Sequence, residues 1–202
     1  MKIYNLILLL SFISNLSFSQ TNQEVVNYFN SVCRSSEFYN ENREPGSIRK
    51  WEENIFIYVK GDKPTYLMNE LNSIITELNQ MTKPITMTLV NDQNKSNLLI
   101  FFGSADVFKN IINSDYDLID DNYGLALVYG SPSILFAKMY VDIYRTETIN
   151  AQKHLLREEL TQCLGLMNDT YDYPESIFYQ EWTETTQYAE IDKKIIKMLY
   201  DN

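Results

Sequence analysis

The chain has 202 residues, 45% of them hydrophobic. That is enough for one buried core, and no second composition regime marks another independent domain. Its 27 acidic and 17 basic residues give a formal net charge of −10, which repels nucleic-acid phosphates and anionic lipid, so neither is expected as a partner.

The chain opens on MKIYNLILLLSFISNLSFSQ, with Lys2 before an apolar run from Ile3 to Leu10 that weakens toward Phe18. Interruption by Ser11, Ser14 and Asn15 makes the run too broken for a membrane span. It is expected to be a signal peptide over residues 1–19, cleaved after Ser19, with an uncleaved anchor as the alternative. Cleavage removes Lys2 and moves the net charge from −10 to −11. The mature chain is then expected outside the cytoplasm, periplasmic or extracellular, with no membrane insertion. Cys33 lies too far from the leader to carry a lipid.

Residues 20–46 form a polar lead-in with one helix-like patch, Glu24 to Cys33, where Val25, Val26, Phe29 and Val32 recur at helical spacing. A single domain is expected over residues 47–202. Asn54 to Lys60 alternates as a strand before Gly61. Thr65 to Thr82 carries Leu67, Leu71, Ile74, Ile75, Leu78 and Met81 as a helical stripe, and Pro84 stops it. Strands follow over 85–90 and 97–102, then a short helix through Phe108.

An acidic loop with Asp115, Asp117, Asp120 and Asp121 comes next. It reads as a solvated excursion or a calcium site, although the glycine and spacing of an EF-hand are missing. Strands are expected over 123–129 and 134–144, the second long and alternating. The last helix, 189–200, presents Ile191, Ile195, Met198 and Leu199 on one face, with Glu190 and Asp192 in its first turn.

Between these lies HLLREELTQCLGLMNDTYDYPESIFY, from His154 to Tyr179. On a helix over about 150–164, Leu156, Leu160, Cys163 and Leu164 share an apolar face, and His154, Arg157 and Thr161 lie on the other. Glu158, Glu159 and Gln162 form the strip between, with Glu159 leaning furthest toward the apolar side. A carboxylate there needs compensation. His154 points away from the centre of that strip and is expected at the surface or as a cap. Cys163 reads as a buried free thiol, with a bridge to Cys33 as the alternative.

The stretch resembles the HExxHxxGxxH helix and turn of zinc peptidases without the imidazoles. That resemblance puts Glu158, Gln162 and Asn168 at the three ligand positions, Glu159 at the general base and Gly165 at the turn. Ser176, Ile177, Phe178 and Tyr179 resemble the methionine turn of metzincins, with Phe178 replacing methionine. The EELTQ, LGL, ND, SIF and closing D-x-x-x-x-x-x-LY features are similar to the bacterial domain-of-unknown-function family 2927. The resemblance implies an α+β, metzincin-like fold: a mixed twisted sheet of about five strands, packed helices, the helix 150–164, the SIFY turn and a C-terminal helix.

With one histidine in the chain and an amide at Gln162, a zinc site of three protein ligands cannot be assembled in the usual way. No cofactor is expected, zinc included. The oxygens of Glu158, Glu159, Gln162, Asn168, Asp169 and Asp172 make either a polar network holding the turn or a site for a hard cation. Two functions follow. One is a non-catalytic, metallopeptidase-like module that binds a peptide or protein in the cleft beside strand 134–144, whose edge would take an added strand. The alternative is a hydrolase with Glu159 as general base and a carboxylate-bound metal.

Overall fold

The computed structural model describes residues 21–34, 47–113 and 118–201. The leader over 1–19, most of the lead-in, and Asp115 and Asp117 of the acidic loop lie outside them. Five strands form one mixed twisted sheet: β1 (Ile55–Gly61), β2 (Met87–Leu89), β3 (Leu98–Gly103), β4 (Gly124–Tyr129) and β5 (Phe136–Asp142). Their order is β2-β1-β3-β5-β4. Neighbours run parallel except β4, which is antiparallel to β5.

This order corrects one expectation. The strand expected over 134–144 is shorter, and β5 lies between β3 and β4, paired on both sides. Its backbone groups are spent in two ladders, so it offers no edge for strand addition. The outer strand on this side is β4, and β2 is the other edge. Alternation along a strand reports which side chains are buried; it does not report lateral order.

Helices α2 (Thr65–Met81) and α5 (Ile149–Gln162) pack on one face of the sheet, and α6 (Glu190–Tyr200) lies beyond them with α1 (Asn22–Arg34). The stripe of α2 expected from spacing is buried throughout. The helix-like patch of the lead-in is α1, and it adds Tyr28, Phe29, Val32 and Cys33 to the main core. Helices α3 (Ala105–Ile112) and α4 (Leu118–Asp121) cover one end of the other sheet face, where Phe101, Phe108, Leu125 and Tyr140 form a smaller core. No helix among the described residues is long and apolar enough to cross a membrane.

Thr148 caps α5 by accepting from the Ala151 amide at 3.0 Å. At the other end Trp51 Nε1 donates to the Cys163 carbonyl and the Tyr200 hydroxyl to the Leu164 carbonyl, each at 2.8 Å. These bonds satisfy acceptors that a helix end leaves over. Gly165 then turns the chain at φ +110°, and a Cβ there would lie 2.0 Å from the Arg49 carbonyl oxygen. Only glycine fits this approach.

Candidate functional site

Helix α5 runs through the middle of the molecule and is buried on nearly every side. Leu156, Leu160, Cys163 and Leu164 are in the core as expected. The opposite face, with His154, Arg157 and Thr161, is also buried, which corrects the surface position expected for His154. Arg157 is 2% exposed, pairs with Glu70 and Glu77 of α2 at 2.8 Å each, and lies 4.6 Å over the Tyr188 ring. The Thr161 hydroxyl meets the Tyr188 hydroxyl at 2.7 Å.

His154 is buried against the segment that returns from the SIFY turn. Its Nδ1–H donates to the Thr185 carbonyl at 2.8 Å, and Nε2 lies 3.4 Å from a Glu158 carboxylate oxygen. Burial pulls the imidazole pKa down, but the Glu158 carboxylate and the Thr185 carbonyl outweigh it and raise the pKa above the ordinary value. The histidine therefore ties α5 to the far wall of the site.

That site is a cleft of about 240 Å³. Glu158, Glu159 and Gln162 form its floor, Tyr123 to Leu125 one wall, and Tyr179 to Thr183 the other. Tyr123 and Trp182 face each other across it, edge to face, with centroids 5.7 Å apart. Gln162 Nε2 donates to Asp169 Oδ1 at 3.1 Å, so the expected link from the strip to the turn is made there. Asp169 lines the cleft, whereas the Asn168 side chain donates to the Asp169 carbonyl at 2.8 Å. Glu159 lies against Gly124 at the start of β4.

The SIFY turn holds the far wall. Ser176 Oγ donates to Asp192 Oδ1 at 2.6 Å, the Ile177 and Ala189 amides donate to Asp192 Oδ2, and the Tyr28 hydroxyl meets Ser176 Oγ at 2.6 Å. Burial pushes the Asp192 carboxyl up to about 6, against the pull of those hydrogen bonds. Phe178 is fully buried in the core, where the resemblance puts a methionine. The Thr170 amide donates to the Phe178 carbonyl and the Gln180 amide to the Thr170 carbonyl, clipping the turn to the loop after α5.

Two site-forming residues carried no signal in the sequence. Arg145 donates to the backbone carbonyls of Ile119, Asp120 and Asn122 and lies 5.1 Å over the Tyr123 ring. Asp142 holds Arg145 Nε at 2.7 Å and accepts from the amides of Ala105, Tyr144 and Arg145. Together they set the near wall. Both cysteines are buried and free, so the Cys33–Cys163 bridge is not formed. Burial raises both thiols, Cys163 well above its ordinary value.

The residues that the resemblance puts at zinc-ligand positions are each engaged with protein groups. Glu158 faces an imidazole, and the Gln162 and Asn168 amides donate to protein oxygens. Among the described residues no group of three or more His, Cys, Asp and Glu side chains is placed to hold a metal ion.

A model for the family described as "Protein of unknown function (DUF2927)" matches residues 22–202. The chain belongs to that family. No curated protein matches it. A crystal structure of myroilysin superposes with a TM-score of 0.50 at 10% sequence identity, covering 91% of this chain and 98% of that one. A second myroilysin structure gives 0.49 at 13% identity, over 90% and 96%. The likeness is one of fold alone, and that fold is metzincin-like.

Proposed function

We propose that this chain is an exported, metallopeptidase-like domain that has lost the zinc ligands and binds an extended peptide or protein segment without cleaving it. One observation carries the reading: the side chains at the ligand positions are engaged with protein groups while the cleft above them stays open. Gln162 is committed to Asp169 and Glu158 to His154, so the floor is a protein network where a peptidase would hold an ion.

The outer strand supports a peptide as occupant. The Tyr123 and Tyr129 carbonyls accept from Asp142 and Leu135, so the odd-numbered residues of β4 face β5. By alternation Gly124 and Ala126 turn their backbone groups outward, while the Val128 carbonyl accepts from Arg49 Nη1 at 3.4 Å. An extended segment can pair with them beside the cleft. Export rests on the leader over residues 1–19.

Metal analysis of the full mature chain, purified without chelator, tests the reading together with peptide-cleavage and peptide-binding assays. Zinc well below one per chain, no cleavage that depends on Glu159, and saturable peptide binding are expected. Stoichiometric metal with cleavage abolished by Glu159→Gln overturns it in favour of the hydrolase.

A further inference from the structure

We infer that the cleft selects a cationic side chain, the lysine or arginine of a basic peptide segment. This rests on the peptide-binding reading above and names what the cleft recognises. Five carboxylates line it: Asp121, Glu158, Glu159, Asp169 and Glu181. His154 is the one basic group, and no lysine or arginine is among the described residues lining it. These acidic groups are gathered around one small space, and a cationic head is complementary to them.

The walls point the same way. Tyr123, Tyr179 and Trp182 line the mouth, and Trp182 is 57% exposed. Arg145 already lies over the Tyr123 ring, so that ring is taken by a cation of the protein's own and an incoming guanidinium stacks elsewhere on the rim. An exposed indole across from it offers a second ring surface. Carboxylates at the bottom with aromatic rings at the rim match a charged head on an apolar stem.

Size and placement exclude two other occupants. At about 240 Å³ the cleft is smaller than the roughly 300–1,000 Å³ that drug-sized ligands fill, and it suits one long side chain. A bare divalent ion needs its oxygens converged on a point, whereas among the described residues no group of three or more His, Cys, Asp and Glu side chains is placed to hold one. A residue paired with the outward backbone of β4 near Gly124 can drop its side chain into this space.

Calorimetric titration of the full mature chain tests the inference with two probes: acetyl-Thr-Val-Arg-Val-Thr-Val-amide, and the same peptide with neutral, isosteric citrulline for arginine. The arginine peptide is expected to bind roughly tenfold tighter or better, with the advantage shrinking as salt is raised. The exposed-rim variant Asp121→Asn/Glu181→Gln and Trp182→Ala each reduce that advantage. Equal binding of both peptides overturns the cationic preference and leaves the peptide-binding cleft standing. Binding of neither overturns the cleft reading itself. Calcium binding without any peptide binding replaces the inference with a metal site.

Discussion

Glu159 and Gly124 are fitted to each other: a Cβ built on Gly124 would lie 2.5 Å from Glu159 Oε1 and 2.9 Å from its Cγ. The helix can carry a carboxylate on its inner strip because the strand above it carries no side chain at that point. Gly124→Ala is expected to cost about 1–3 kcal/mol by overpacking, and much less in a Glu159→Ala background. Denaturant melts of the four proteins measure the coupling. Additive losses would show that the two residues do not share this space.

Arg157 is held by two carboxylates and a ring on a buried face. Arg157→Ala leaves Glu70 facing the gap and is expected to cost roughly 3–5 kcal/mol. Arg157→Lys recovers only part of it, because an ammonium cannot span Glu70 and Glu77 while stacking on Tyr188. Full recovery by lysine in thermal melts would reduce the cluster to a simple charge.

Asp192 gives a pH signature. Its folded-state pKa of about 6 stands above the ordinary 3.8, so the native state binds the proton more tightly. Its stabilising contribution is complete below about pH 4 and is lost as pH rises through about 6, a change on the order of 2–3 kcal/mol at most. Wild type minus Asp192→Asn, compared by urea melts from pH 4 to 7, should fall over that window. A pH-independent difference would mean that Asp192 does not titrate there.

The turn after α5 can be tested with zinc. Helix spacing aligns positions 158 and 162, and Asp169 is the turn residue that lines the cleft and meets Gln162. Glu158→His/Gln162→His/Asp169→His should therefore take up zinc and melt higher as zinc is added. The same design with Asn168→His in place of Asp169→His should bind more weakly. The reverse order in zinc calorimetry would show that Asn168 holds the third position.

Much of this was legible in local spacing. The α2 stripe and the Leu156, Leu160, Cys163, Leu164 face needed only helical periodicity, and Gly165 announced the turn. What escaped depended on partners distant in the chain. His154 read as a surface or capping residue because Thr185, which buries it, belongs to a distant segment, and nothing local announced that Glu70, Glu77 and Tyr188 enclose Arg157. Asp192 read as a first-turn carboxylate obeying the helix dipole, yet it is fully buried and fastens the SIFY turn. The free edge was misplaced for a similar reason: β5 is the longer and more alternating strand, but lateral order follows from how β3 and β4 both seek it.

The clasp of α1 on α6 sets the order in which the molecule can be completed. Tyr28 reaches Ser176, Ser176 reaches Asp192, and Tyr28, Phe29, Val32 and Cys33 share one core with Ile191, Ile195 and Leu199. During synthesis α1 emerges well before Ser176 and α6, the partners that cover its apolar side. Loop closure over such a span is slow and cannot be rewarded early. The clasp therefore closes a loop of 148 positions between Tyr28 and Ser176 and is among the costliest contacts of the fold to form early.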